Sequence, residues 1–305
     1  MSSPDLDNLE KNMLSPLKYC INSLEDFSQN ESIEDVIHME HDEKYIDEHS
    51  DVILFSIPPI FMTWSEFNQK RKLKYTVHSY IPSFANFKNY EGKSILVLGY
   101  KDGIETIEFA KVCRDITIVC ESKLEFGMIR STFNNLNLTP KLIDIYTSIN
   151  DLYPVHYDLI YSTGYIGNTC NIRKILSNLQ QKHSDRNTEL KCIFNSKVSW
   201  RHIRTITECD MTNIGSISRK LKSYGNLYSF GELDKIISSA GFNIVAMWKD
   251  HILTFNKKDL LNGTLVKDIY WQGVSDDTLH SFKEELGCYT MTISTLKNDG
   301  LSLLS

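Results

Sequence analysis

The chain has 305 residues, 41% of them apolar and 24% charged, with a net charge of −6, a composition that excludes disorder throughout and gives enough length for one large domain with an accessory region. Its longest apolar stretch, Val52 to Met62, is interrupted by Ser56 and the Pro58-Pro59 pair. That falls well short of the roughly 20 residues that span a bilayer, so a membrane is excluded as a partner.

The N-terminus, Met-Ser-Ser-Pro-Asp, lacks the basic start and apolar core of a secretory signal, which points to a cytoplasmic protein. The seven cysteines, at 20, 113, 120, 170, 192, 209 and 288, form no C-x-x-C pair, and several sit in apolar strand-like runs, so they read as buried free thiols. Residues 1–50 hold 13 acidic and 3 basic residues, which argues against a nucleic-acid footprint at that end. Leu9, Met13, Leu17, Ile21, Leu24 and Phe27 predict an amphipathic helix there, and Ser28 to Ser50 reads as solvated helix or loop. His38-Met-Glu-His41 places two histidines three apart without a third ligand, too little for a tetrahedral metal site. A change of composition at Trp64-Ser-Glu-Phe67 and Lys70 to Lys74 places the domain entrance near 74. Residues 1–74 are then a mostly helical, acidic region, serving as a lid or as the contact of a homodimer, and residues 75–305 form the main domain.

From Ser94 onward short apolar runs alternate with helical patterns. Strands are predicted at Ser94 to Leu98, Ile116 to Cys120, Lys141 to Asp144, Tyr157 to Tyr161 and Lys191 to Asn195. Helices are predicted at Ile104 to Cys113, Leu124 to Leu136 and Ile172 to Gln180. Phe230 to Gly241 reads as a helix stopped by its glycine, Phe242 to Trp248 as the following strand, and Cys288 to Ser294 as a last strand. This alternation predicts an α/β fold, a doubly wound and mostly parallel sheet with helices on both faces. Residues 196–229 are too long for a plain connection and are expected to cover the active site, and 251–287 form a second, mostly helical excursion.

In such a sheet a ligand binds at the carboxyl ends of the strands, where a glycine turn lets backbone approach it. Gly99 and Gly103 stand in the turn after the first strand, and Glu121, some twenty residues on, stands where an acid can take both hydroxyls of a ribose.

The run Ile95-Leu-Val-Leu-Gly99-Tyr-Lys-Asp-Gly103, followed by Glu121, Asp144 and Tyr157-Asp-Leu-Ile-Tyr-Ser-Thr163, resembles the Rossmann-like core of class I S-adenosylmethionine-dependent methyltransferases. Tyr228 to Leu233 and Ala240 to Phe242 resemble that family's late helix-strand element, so the similarity covers roughly residues 75 to 296. The resemblance implies S-adenosylmethionine as cofactor, held by Gly99, Tyr100, Lys101 and Gly103 in the first turn. It implies further contacts from Glu121 and Ser122 after the second strand, from Asp144 and Ile145 near the adenine, and from Ser162 at the end of the fourth strand.

Two residues depart from the family's first motif: Val97 replaces an acid and Lys101 a glycine. Two roles are open to Lys101, pointing into water or facing an anionic group of cofactor or substrate. Ser162-Thr-Gly-Tyr165 differs from the signature with which related enzymes grip a planar amide, and no Pro-Cys pair supplies a cysteine nucleophile. The expectation is therefore direct in-line methyl transfer to a small-molecule or natural-product acceptor. A non-catalytic binding protein on the same fold, or transfer of another group from a sulfonium or modified cofactor, stands as the alternative. Where the acceptor must lose a proton, the candidate bases are His78, Tyr75 and His202, with Trp64 and Tyr80 as possible pocket walls.

Overall fold

A computed structural model describes residues 60–120, 123–138, 142–146, 148–169, 171–203, 225–255, 259 and 264–297, all within one compact unit, His49–Ser305. The predicted N-terminal helix, the His38/His41 pair, Glu121, Ser122, Cys20, Cys170, Cys209 and the middle of the 196–229 insertion lie outside the described residues.

Among the described residues, two α-helices precede the sheet. Helix α1 (Trp64–Val77) starts from a capping box, in which the Thr63 side chain accepts from the Glu66 N–H while the Glu66 carboxylate accepts from the Thr63 N–H. It runs unbroken through residue 74, where the change of composition had suggested a domain entrance, and helix α2 (Tyr80–Ala85) follows. The α/β alternation then begins: β1 (Ser94–Leu98), α3 (Ile104–Ala110), β2 (Asp115–Val119), α4 (Lys123–Asn135), β3 (Leu142–Tyr146), β4 (Leu159–Thr163), the short α5 (Tyr165–Asn168), α6 (Ile172–His183) and β5 (Glu189–Ser196). A two-residue strand β6 (Leu227–Tyr228), helix α7 (Phe230–Ser239), β7 (Phe242–Asp250), α8 (Asp276–Leu286) and β8 (Tyr289–Leu296) complete it.

The strands lie in the order β3-β2-β1-β4-β5-β8-β7, with β6 pairing the end of β5. Neighbours from β3 through β5 are parallel, and β8 runs antiparallel to both β5 and β7. The order reverses between β1 and β4, whose connections leave in opposite directions, and this opens a crevice at their carboxyl ends.

Central strands buried on both faces explain why β1 reads as a continuous apolar run. Ile95 and Val97 pack into the core under α1, α2 and α3, and Leu96 and Leu98 into the core under α6 and α7. Each of these side chains contributes about 1.5–3 kcal/mol by leaving water. Cys113, Cys120, Cys192 and Cys288 are buried thiols outside any disulfide, as expected, and burial pushes the Cys113 thiol up to about 12, so it stays protonated and inert.

Several boundaries move for local reasons. The strand predicted from Tyr157 begins at Leu159, because Asp158 turns its carboxylate back to accept from the Ser94 N–H at 2.8 Å, and the Tyr157 hydroxyl leaves the strand line to donate to Thr117. The helix predicted to reach Cys113 ends at Ala110, where the N–H groups of Val112 and Cys113 both turn to the Phe109 carbonyl. The described part of the excursion after 251 holds a bridge between Phe255 and Lys267, a helical residue at Asp259, a 3-10 turn at Ile269–Trp271 and helix α8.

Candidate functional site

The turn from β1 into α3 is built on left-handed backbone. Gly99, Lys101 and Gly103 have φ of 84°, 49° and 72°, so lysine adopts a conformation that costs a side-chain-bearing residue about 1–2 kcal/mol. Around it, the Gly99 N–H donates to the Val119 carbonyl at 2.8 Å and the Gly103 N–H to the Tyr100 carbonyl at 2.8 Å. Tyr100 is buried and lies so close to Gly103 that a Cβ there would overlap its ring. It therefore forms the floor of the turn.

Two side chains span the crevice between β1 and β4. A Cβ on Gly99 would stand 3.1 Å from the Tyr165 Cβ, so Tyr165 packs on the first glycine. A Cβ on Gly164 (φ 93°) would stand 2.7 Å from the Lys101 Nζ, so the ammonium reaches across to the turn after β4. Lys101 thus lies over the crevice instead of extending away from the protein.

Other predicted cofactor residues are placed differently. Asp144 sits in the middle of β3, opposite Thr117, because the strand continues through Ile145 and Tyr146; it is not the residue after the strand. Ile145 packs against the core beneath α4, and both line a cleft of 390 Å³ at the sheet edge with Phe126, Arg130 and Tyr146. Ser162 is buried, and its hydroxyl accepts from the Ile166 N–H at 3.2 Å, closing the turn after β4.

The three candidate bases fall in three environments. Tyr75 is on α1, stacked with Phe87, its hydroxyl buried; burial and then the charge of Glu105 raise its pKa far above the ordinary value, which removes the phenolate at neutral pH. His78 caps the end of α1 and is buried in a stack with His251, with ring centroids 4.3 Å apart. His251 in turn stacks on Tyr289 at 5.3 Å, Tyr80 closes the cluster, and Arg201 lies 5.4 Å above the Tyr289 ring. Tyr289 is level with Asn195 on β5 and Asp250 on β7, so the cluster stands at the end of the sheet where the parallel strands finish.

His202 is half-buried in the first turn after β5, its backbone N–H held by the Ser199 hydroxyl at 3.2 Å. Burial, with Lys197 adding, lowers its pKa, so the ring is neutral at pH 7 and able to accept a proton. Trp64 is an exposed residue of α1 that makes an edge contact with Phe67. Trp200, beside His202, packs instead with Trp271 and Phe282, which ties the cover after β5 to the excursion before β8.

Sequence reasoning missed His251, Tyr289 and the partners of the first turn, Lys74 and Glu105. A lone histidine after a strand carries no signal. The Lys70 to Lys74 run did, but as composition alone.

No family model matches the chain, and no curated protein matches it in sequence. Among solved structures it is similar to a chain from the complex between the Haloferax volcanii Trm112 methyltransferase activator and the putative methyltransferase. That match has a TM-score of 0.50 and 11% identity, over 79% of this chain and 99% of that one. The [4+2]-cyclase SpnF aligns with a TM-score of 0.49 and 10% identity over 72% of this chain and 80% of its own. A putative sarcosine dimethylglycine methyltransferase from Galdieria sulphuraria aligns with a TM-score of 0.48 and 12% identity, over 78% and 93%. With its strand order, its antiparallel β8 between β5 and β7, and its glycine turn at the β1/β4 crevice, the chain has the fold of the class I S-adenosylmethionine-dependent methyltransferases.

Proposed function

We propose that the protein binds S-adenosylmethionine across the β1/β4 crevice and transfers its methyl group in line to a small-molecule acceptor of the natural-product kind. The observation that carries this reading is the turn itself: three left-handed residues, Gly99, Lys101 and Gly103, hold backbone at the switch point of the sheet. The turn fits such a cofactor, because Tyr100 lies beneath it and the Lys101 ammonium faces the crevice, where an anionic carboxylate end would meet it. Gly99, Lys101 and Gly103 would hold the amino-acid end, with Glu121 on the ribose. When bound, a sulfonium supplies an electrophilic methyl on a good leaving group, so positioning does most of the remaining work.

The chain's residues then have two tasks. The segment after β5, joined to the later excursion through Trp200 and Trp271, covers the acceptor and keeps water out. His202, neutral at pH 7, takes the proton of an acceptor that must lose one. Tyr75, half-buried and stacked on Phe87, and His78, buried in the ring stack, support the site from behind.

A second reading, a binding protein on the same fold that transfers nothing, draws on Lys101 and Tyr165 spanning the crevice. Mass spectrometry of the purified protein incubated with methyl-labelled S-adenosylmethionine and a panel of phenols, amines and carboxylic acids separates the two. Label in an acceptor supports transfer, and cofactor bound without label reaching any acceptor supports the second reading.

A further inference from the structure

Beneath the first turn lies a buried ion cluster. The Lys74 Nζ on α1 stands 2.7 Å from both carboxylate oxygens of Asp102 in the turn and 2.7 Å from Glu105 Oε2 in the first turn of α3. All three side chains are buried, with exposures of 7%, 4% and 6%. One helical turn earlier Arg71 pairs with Glu108 at 3.0 Å, so α1 is tied to α3 at two levels.

Stability alone is a poor reason for such a cluster. Removing a lysine and two carboxylates from water costs several kcal/mol per ion, and well-packed apolar residues commonly do as well or better. What the ions provide is a fixed place for Asp102. Its Oδ1 also accepts from the Ile104 N–H at 3.1 Å, so one carboxylate joins α1, the turn and the start of α3. Val97 leaves β1 without a carboxylate below the turn, and Asp102 is the one that bonds into it.

The electrostatics agree. Burial opposes the charge on Lys74, but Asp102 and Glu105 outweigh it and hold the ammonium above its ordinary pKa. Burial raises Glu105 against the pull of Lys74, with Asp102 adding, and Glu105 Oε1 has no hydrogen-bond partner among the described residues.

From this geometry we infer that Lys74 is a positioning residue of the cofactor turn: by bracing Asp102 it holds Gly99–Gly103 in the left-handed path that receives the ligand, and so makes α1 part of the binding site. The ligand side of this inference rests on the function proposed above; the brace itself does not.

Two readouts on the full chain keep them apart. Hydrogen exchange of the unliganded protein measures the turn directly. In Lys74→Met the amides of 100–105 are expected to exchange at least roughly tenfold faster, as loss of a charge-assisted bond implies, while α6 and α7 keep the wild-type rate. Lys74→Arg should restore most of the protection. Where Lys74→Met does not fold, the triple variant Lys74→Met, Asp102→Asn, Glu105→Gln removes the ions together and should still show the faster turn. The second readout is titration with S-adenosylhomocysteine, expected to weaken about tenfold in Lys74→Met and to recover in Lys74→Arg. Unchanged exchange of the turn, or equal slowing and quickening throughout the protein, overturns the brace. A wild type that binds no S-adenosylhomocysteine overturns the cofactor reading, and the exchange result then judges Lys74 alone.

Discussion

The two halves of the sheet on either side of the β1/β4 crevice are built by different means. On one side, β1, β2 and β3 are parallel strands joined through α3 and α4, and what they bring to the crevice is a stretch of backbone, the left-handed turn at Gly99–Gly103 with its buried ion cluster. On the other, β5, β8 and β7 are mixed in direction, and at their end stands a packed set of rings drawn from distant parts of the chain: His78 at the end of α1, His251 after β7, Tyr289 at the start of β8 and Arg201 after β5. On the function proposed above, a site whose first half is backbone and whose second half is side-chain packing should keep its cofactor contacts under substitution of most side chains, with its acceptor side free to change.

The largest expected effect breaks the chemistry on the acceptor side alone. His202→Gln should lower turnover about 100-fold, the lower end for loss of a general base, with cofactor affinity unchanged, when measured on an acceptor that must lose a proton. Equal turnover in the variant would remove His202 from the reaction.

Next in size is damage to the backbone half. Gly103→Ala forces a side chain into φ 72° and into the Tyr100 ring, and should cost about 2–5 kcal/mol by denaturant unfolding, the sum of left-handed strain and overpacking. A loss below about 0.5 kcal/mol would show that the turn relaxes freely.

The ring cluster should respond as packing does. His78→Ala and His251→Ala are each expected to cost about 1–3 kcal/mol, and the double variant should fall short of their sum by about 0.5–1.5 kcal/mol because the rings stack on one another. Strict additivity would mean that the contact contributes nothing of its own.

These contrasts also account for what could be read from the sequence. Ile95 to Leu98 is a run buried on both faces, and its glycine turn follows at once, so strand, turn and helix were legible together. Asp144 was misplaced at the end of a strand, since Leu142–Tyr146 lies at the sheet edge, where burial no longer marks the boundary. His251 and Lys74 could not be read, because the first stacks on a residue near the other end of the domain and the second pairs across two helices. Periodicity reports a residue's face; it carries no information about which distant element that face meets.

The smallest effect concerns pH. Glu232 closes the capping box of α7, and the Ser229 backbone and hydroxyl, with Lys197, hold its pKa near 2, below the ordinary 4.5. Its folded pKa is depressed, so its stabilisation is complete above about 4.5 and is lost as pH falls toward 2. The wild type should therefore lose its stability advantage over Glu232→Gln across that window in thermal melts, and a constant difference between the two would contradict the assignment.

The central claim, that the crevice between β1 and β4 receives S-adenosylmethionine, is tested most directly by calorimetric titration of the purified protein with the cofactor. One-to-one binding of about micromolar strength, near −8 kcal/mol, that is lost in Glu121→Ala and weakened in Lys101→Gly is the predicted result. No heat of binding from the wild type, or binding that both substitutions leave unchanged, would contradict it.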